Sequence, residues 1–294
     1  MTGSPGDSYR TKSLSERIAA ALPSGGGFGA VRRRLKPFFA KWLAPDGRGL
    51  RSVLPGGEVV LVAAAFRHIT WNPEEYAAFR AAVRPGDVVL EAGANVGAYT
   101  MLFAQWVGAT GRVFAFEPDP AAYDGLQRHI ALNAVAGRVT PVAAAVADGR
   151  DAILRLALGE SSGISRLVRP DEAAATSASE VRATSIDQFC AEHRLAPRVI
   201  KIDVEGAELV ALRGARATVA AAGPGLQLFV EMHPHLWTEL GIAADDVRRE
   251  CETQGLAAER LDGSREDLWQ TEGVCLRLRS AGACLAVASA KAGA

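Results

Sequence analysis

The pattern of this chain predicts an α/β fold built on an open, mostly parallel sheet. From Asp87 onward, short apolar runs alternate with segments of helical periodicity, as in repeated strand–helix–strand units. The runs, such as Val88-Val89-Leu90, are nearly unbroken, which suits strands covered on both faces. The first run also leads into a glycine-bearing turn, Glu91-Ala92-Gly93-Ala94-Asn95-Val96-Gly97, at a strand's carboxyl end, where open α/β sheets bind ligands.

Taken in order, residues 1 to about 28 are rich in Gly, Ser and Ala and end in Gly25-Gly26-Gly27, which predicts a loose arm with a short helix around Leu14 to Leu22. Arg32, Arg33, Arg34, Lys36 and Lys41 follow, interleaved with Phe38, Phe39, Trp42 and Leu43. This segment, residues 31–43, either packs its aromatic side on the main domain or makes weak contact with an anionic membrane surface. Gly49 to Val62 reads as a hairpin closed by Pro55-Gly56-Gly57. Asn72 is placed as an N-cap with Pro73 at the first helical position, and Pro85-Gly86 stops that helix after about Val83.

Strands are expected at about 87–92, 111–117, 138–146, 198–203 and 226–232, with helices at about 96–107, 119–134, 185–194 and 207–222 between them. A helix at about 243–254 and strands near 256–261 and 273–280 complete the pattern. Asp148 to Ala183 interrupts it with two short β-like runs, Ile153 to Leu158 and Ile164 to Val168, and a Ser/Thr/Ala-rich loop. An insertion there sits beside the crevice as a candidate lid. The expected organisation is an arm, basic segment and hairpin over 1–68, the main domain over 69–281, and a disordered tail over 282–294.

With 294 residues and 49% apolar residues the chain can build a large core, and its 33 basic and 33 acidic residues give no general reason to expect a nucleic-acid partner. Cys190, Cys251, Cys275 and Cys284 are scattered, without C-x-x-C or zinc spacing, which points to free thiols in a reducing compartment. The polar N-terminus lacks an apolar signal region, and the longest apolar run, Val59 to Phe66, cannot span a bilayer. A soluble cytoplasmic protein is the expectation.

The turn discriminates between cofactors. A dinucleotide fingerprint needs a middle glycine to admit the pyrophosphate, and this chain has Asn95 there, with Glu91 just before the turn. A carboxylate repels a pyrophosphate but favours the sulfonium and amino groups of S-adenosylmethionine. Gly93 allows positive φ or close approach of a ligand, and Gly97 lets the next helix pack tightly on the strand. The second strand ends in Phe116-Glu117-Pro118-Asp119. Glu117 is there placed to grip ribose hydroxyls, unless it caps the next helix, a role Asp119 already fills. Asp148 either accepts from the adenine amino group or is a turn residue before Gly149.

These stretches, together with Ile200-Lys201-Ile202-Asp203-Val204-Glu205-Gly206-Ala207-Glu208, Thr184-Ser185-Ile186-Asp187 and Phe229-Val230-Glu231-Met232-His233, resemble the FkbM family of methyltransferases from roughly Ile69 to Leu261. The resemblance implies a class I Rossmann-like sheet of seven strands in the order 3-2-1-4-5-7-6, the seventh antiparallel. It implies O-methylation of a hydroxyl on a sugar, polyketide or similar small molecule or glycan. The expected donor contacts are Glu91, Gly93, Ala94, Asn95, Gly97, Glu117, Pro118, Asp148 and Asp203. His129 departs from the family, where Asn is frequent, at a position that concerns packing.

For the reaction itself the candidates are Asp203, Glu231 and His233. Asp203 ends the fourth strand at the crevice, and Glu231 and His233 share a face if the fifth strand runs that far. His233 suits a general base or is a packed or capping group. The three together have oxygen and nitrogen ligands for a divalent ion, but no compact ligand motif is present and no metal is expected. Glu205 is either a site residue or a first-turn carboxylate. Lys201 needs an anionic partner, Asp187 or Glu231. Trp71, Asn72, Glu75 and Tyr76 either cover the ligands or pack a helix. Two other readings compete: a nicotinamide-dependent oxidoreductase on the same sheet, and a donor-binding scaffold without catalysis.

Overall fold

The computed structural model describes residues 49–150, 152–157, 166–167 and 178–280. The expectations for the N-terminal arm, the basic segment 31–43, the tail 282–294 and most of Gly159 to Arg182 lie outside these residues. A hairpin comes first: β1 (Leu50–Val53) pairs antiparallel with β2 (Val59–Val62). Helix α1 (Pro73–Ala82) follows, its first turn capped by Asn72, whose side chain accepts from the backbone N–H of Glu74 and Glu75.

The main sheet then forms from β3 (Val88–Ala92), β4 (Arg112–Phe116), β5 (Val139–Val142), β10 (Val199–Ile202), β11 (Gln227–Met232), β12 (Leu256–Arg260) and β13 (Val274–Ser280). Their order across the sheet is β12-β13-β11-β10-β3-β4-β5, which is 3-2-1-4-5-7-6 when the seven are numbered along the chain. β13 runs antiparallel to both neighbours. The order reverses between β3 and β10, and ligands bind such sheets at that switch point.

Strand alternation splits the core in two. Val89, Val113, Val199 and Phe229 face the hairpin, α1, α2 (Ala98–Trp106) and α3 (Pro120–Leu132). Leu90, Phe116, Ile200, Ile202, Leu228 and Val230 face α4 (Ile186–His193), α5 (Glu208–Arg213), α6 (Arg216–Ala222), α7 (Pro234–Glu239) and α8 (Ala244–Thr253). Cys190, Cys251 and Cys275 are free and buried.

Departures from the expected elements have local causes. The strand expected at 138–146 is two: β5 stays in the main sheet, where its edge position tolerates Pro141, and β6 (Ala145–Val146) joins a second sheet. The helix expected at 207–222 breaks at Gly214, where a Cβ would lie 2.0 Å from the Ala147 carbonyl oxygen. Asp187 re-caps the second piece by accepting from the N–H groups of Ala217 and Thr218, so it does not serve Lys201. The insertion is a sheet more than a loop. β7 (Ile153–Ala157) pairs antiparallel with β8 (Arg166–Leu167) and with β9 (Ala178–Thr184), and β9 falls where the Ser/Thr/Ala-rich loop was expected. Only Val181 of β9 is apolar and buried, too weak a pattern to announce a strand.

Two polar side chains fasten the hairpin to the domain. Asn133 donates to and accepts from Leu61's backbone, imitating a strand partner. His129, the departure from the family, accepts from Ala63 N–H at Nε2 while its Nδ1 donates to the Val96 carbonyl at 2.6 Å. Burial holds its pKa below the ordinary value, so it serves as a neutral bridge between hairpin and cofactor turn. Trp71 donates to Ala98's carbonyl, and Tyr76 hydrogen-bonds Glu58 and Gly56; helix packing is the role of both.

The tightest constraint is Gly93. Its φ is +79°, and a Cβ there would lie 1.7 Å from the Asp203 carbonyl oxygen. Gly93→Ala is expected to lower the unfolding free energy by at least about 2 kcal/mol in urea titration. Gly137→Ala, whose Cβ meets nothing within 4 Å, should change it by less than about 0.5 kcal/mol. Equal tolerance of the two would contradict this packing.

Candidate active site

At the switch point a crevice of about 660 Å³, open to solvent, is lined by Gly93 and Asn95 from the first turn, Glu117, Pro118 and Asp119 after β4, and Asp203, Val204 and Glu205 after β10. Ala144, Ala145, Val146 and Leu156 form its apolar wall, Leu156 being supplied by the inserted sheet.

The first turn is braced against the second strand. Gly93 and Ala94 both donate to the Phe116 carbonyl, and Asn95, at φ +49°, donates its N–H to Glu117 Oε2 at 2.7 Å. Glu117 Oε1 accepts from Asp119 N–H at 2.8 Å. Each carboxylate oxygen is thus fixed by one backbone donor and retains a lone pair toward the crevice. Burial raises the Glu117 pKa to about 7 against the pull of these hydrogen bonds. Asp119 caps α3 through Ala121 and Ala122, as expected.

Other expected donor contacts are placed differently. Ala94 is buried and does not line the crevice. Gly97, at φ +89°, makes room for Leu126 of α3, whose Cδ1 would stand 2.7 Å from a Cβ; its tight packing is therefore helix on helix. Asp148 is engaged by Arg150 at 2.6 Å and is absent from the lining. Glu91 is also absent from it. Strand alternation turns its side chain, with that of Val89, toward α2, where it accepts from Thr100 Oγ1 at 2.6 Å and is 1% exposed.

Glu91 belongs to a buried charge cluster centred on Lys201. Lys201 is 2% exposed, directly opposite Glu91 across the strand pair, with Nζ 2.8 Å from Asp203 Oδ2 and over the Tyr99 ring. Burial disfavours the ammonium, but Asp203, Glu231, Glu91 and Glu75 outweigh it and hold its pKa well above the ordinary value. Asp203 Oδ2 is therefore the partner in hydrogen-bond contact, with Glu231 adding charge. Burial alone would raise Asp203's pKa; Lys201 overrules it, helped by His233 and a hydrogen bond from Glu231, and keeps it below the carboxylate range. Burial and then the Asp203 charge push Glu231 up to about 8. Glu75, on α1, is a buried member of the same cluster, raised by burial.

The three catalytic candidates come together, with one ligand atom of each within 4.8 Å of the others. Of the three only Asp203 lines the crevice; Glu231 and His233 stand beside it. β11 ends at Met232, so His233 is the first residue beyond the strand and precedes α7. Its Nδ1 donates to Glu208 Oε1 at 2.8 Å, while Nε2 faces Glu205, Glu231 and Asp203 at 3.6, 3.9 and 4.0 Å. Burial alone would lower its pKa, but Glu208, then Glu205 and Asp203, raise it to about 9. Glu205 is not a first-turn carboxylate: α5 starts at Glu208, and Glu205 sits in a turn at φ +47°. His235 is exposed and paired with Glu272.

Sequence reasoning gave Glu208 no role. It is fully buried and also accepts from Trp237 Nε1 and Gly206 N–H. The available signal was a glutamate heading the apolar run Leu209-Val210-Ala211-Leu212, which must find polar partners inside.

Glu91 generates a pH prediction. Its pKa, raised by burial to about 7, means that the folded state holds a proton the unfolded chain releases near 4.5. Its contribution to stability is therefore greatest below that value and is lost as pH rises toward and through about 7. Glu91→Gln should gain unfolding free energy relative to the native chain between pH 5 and 8 in denaturant titrations; a pH-independent difference would contradict the assignment.

With this geometry in view, the chain was compared with known proteins. A family model described as the Methyltransferase FkbM domain matches residues 91–255, more than half of the chain. A curated relative, the 31-O-demethyl-FK506 methyltransferase FkbM of Streptomyces tacrolimicus, is 46% identical over 57 residues, 19% of this chain and 22% of that protein. The match thus spans about a fifth of the relative's length. Among solved structures, a methyltransferase FkbM from Methylobacillus flagellatus KT has a TM-score of 0.43 and 19% identity, covering 70% of this chain and 50% of that one. An S-adenosylmethionine-dependent O-methyltransferase from Thermotoga maritima has a TM-score of 0.42 and 13% identity, covering 79% of this chain and 77% of that one. The extent of the family match decides the matter: the chain belongs to the FkbM family of methyltransferases.

Proposed function

We propose that this protein is an S-adenosylmethionine-dependent O-methyltransferase acting on a hydroxyl of a small molecule or glycan. The observation that carries this reading is the braced Glu117 carboxylate facing the crevice opposite the Gly93 turn. Two fixed carboxylate oxygens at the end of the second strand suit a pair of ribose hydroxyls. Family membership supports methyl transfer, and the curated relative's printed name supports an oxygen as acceptor.

The crevice also argues against a pyrophosphate, though not through Glu91. Glu117, Asp119, Asp203 and Glu205 line it, and Lys201 keeps Asp203 ionised. That lining disfavours a dinucleotide and suits a cationic donor. The nicotinamide reading loses support accordingly.

When bound, S-adenosylmethionine supplies an electrophilic methyl group on a sulfonium. The protein's share is to align and to handle a proton. Glu117 would hold the ribose end, and the apolar wall of Ala144, Ala145, Val146 and Leu156 would take the flat base. Asp203 would face the methyl end. The Asp203–Glu231–His233 cluster would receive the acceptor hydroxyl, its proton passing to the Asp203 carboxylate that Lys201 keeps ionised, with His233 oriented beside it by Glu208 through Nδ1. The inserted sheet stands beside the crevice as the element that shapes acceptor choice.

Incubation with labelled S-adenosylmethionine and a panel of hydroxylated sugars and polyketides should give alkali-stable methyl label on one acceptor class. Glu117→Ala is expected to weaken donor binding at least about tenfold by calorimetry. His233→Ala should leave donor affinity within about threefold and lower turnover about 100-fold or more. Unchanged affinity in Glu117→Ala would defeat the ribose assignment. Donor binding without transfer to any acceptor, indifferent to His233, would favour a scaffold.

A further inference from the structure

The catalytic cluster has a feature that a proton relay alone does not need. His233 is 6% exposed, yet among the described residues its Nε2 has no hydrogen-bond partner: the carboxylate oxygens of Glu205, Glu231 and Asp203 stand 3.6 to 4.0 Å away. A buried imidazole paired directly with a carboxylate sits at about 2.7–2.9 Å. Three acidic groups converge here on one nitrogen and stop an ångström short of it.

We infer that Asp203 Oδ1, Glu231 Oε1 and His233 Nε2 form a binding site for one divalent cation of the Mg²⁺/Mn²⁺ type. The inference deepens, and rests on, the reading of this cluster as the acceptor end of the site. Ligand atoms bound at about 2.0–2.2 Å to an octahedral ion lie roughly 3 Å apart when neighbouring and roughly 4.2 Å apart when opposite. The spacings of 3.9 Å (Glu231 to His233) and 4.0 Å (Asp203 to His233), in a group whose ligand atoms lie within 4.8 Å, are wider than neighbouring ligands need, so a bound cation would draw the three side chains together by about an ångström.

The surroundings are those of a ligand set. Lys201 occupies Asp203 Oδ2, and Oδ1 is the oxygen that faces His233 Nε2, at 4.0 Å. Glu208 accepts a hydrogen bond from His233 Nδ1–H, which orients the ring and turns Nε2 toward the carboxylates, where a bound cation would replace the Nε2 proton. Gly206 N–H and Trp237 Nε1 in turn hold Glu208, so the support is itself anchored. Asp203, Glu231 and Glu205 side chains retain 25%, 22% and 31% exposure, which leaves an entry path and room for water ligands. Two carboxylates and one imidazole, with water completing the shell, favour Mn²⁺ or Mg²⁺ over the thiolate-seeking metals. A cation there would polarise the acceptor hydroxyl beside the donor, and an acceptor with two neighbouring hydroxyls would chelate it.

The test is a Mn²⁺ titration of the full chain, stripped with chelator, followed by the loss of the free-ion electron paramagnetic resonance signal, with neither donor nor acceptor present. One ion per chain is expected, displaced by excess Mg²⁺. Asp203→Asn and His233→Ala should each weaken binding at least about tenfold; the isosteric Glu231→Gln does the same should either of those fail to fold. Glu117→Gln, at the ribose end, should bind Mn²⁺ as the native chain does. No signal loss up to about 1 mM Mn²⁺, or a loss retained by all three ligand variants, would overturn the site. Because the titration omits donor, its failure is distinct from failure of the methyltransferase reading, which the donor calorimetry of Glu117→Ala decides.

Discussion

A lysine buried in the middle of a sheet sets the terms for this molecule. The Lys201 ammonium cannot be left in the interior without compensation. Its compensation comes from four elements: Glu75 on α1, Glu91 on β3, Asp203 at the end of β10 and Glu231 on β11. Meeting that demand ties the N-terminal helix to the sheet and fixes Asp203 at the crevice. Burial, with the neighbouring Asp203 charge behind it, raises Glu91 and Glu231 to about 7 and 8. Asp203 lines the crevice and Glu231 stands beside it, where a cationic donor, and a cation beside the acceptor, would be held.

Backbone geometry supplies the complementary half. The turns after β3 and β10 meet at the switch point, and both depart from ordinary conformations: Gly93, Asn95, Glu205 and Gly206 all have positive φ. Asn95 and Glu205 hold these angles without being glycine, a strain that persists only where surroundings enforce it. For Asn95 the enforcement is visible, since its side chain accepts from Val96 N–H and its own N–H is held by Glu117. Glu205 stands at φ +47° with Oε2 3.6 Å from His233 Nε2.

Much of this was legible in the sequence. The strand–helix alternation, the turn at the first strand, the carboxylate after the second and the cap at Asp119 are local patterns, and each is local in its cause. What was illegible depends on facing and on distance. Nothing in Val88-Val89-Leu90-Glu91 says which side of the sheet bears the crevice, so Glu91 was expected to touch the donor when alternation turns it toward Thr100. The partnership of Glu208 with His233 joins residues 25 apart, where the start of α5 meets the end of β11 and the first turn of α7. The break at Gly214 answers to the Ala147 carbonyl, which only the folded chain brings near. The strand β9 pairs through its backbone with β7, and its side chains announce little of it.

The central claim is that the methyl donor lies between Glu117 and Asp203, ribose end to methyl end, across the Gly93 turn. It is tested most directly by a crystal structure of the full chain with S-adenosylhomocysteine. The account predicts both ribose hydroxyls within hydrogen-bond distance of Glu117 and the sulfur on the side of Asp203 and His233. A ligand whose ribose contacts neither oxygen of Glu117, or whose sulfur points away from Asp203, would contradict it.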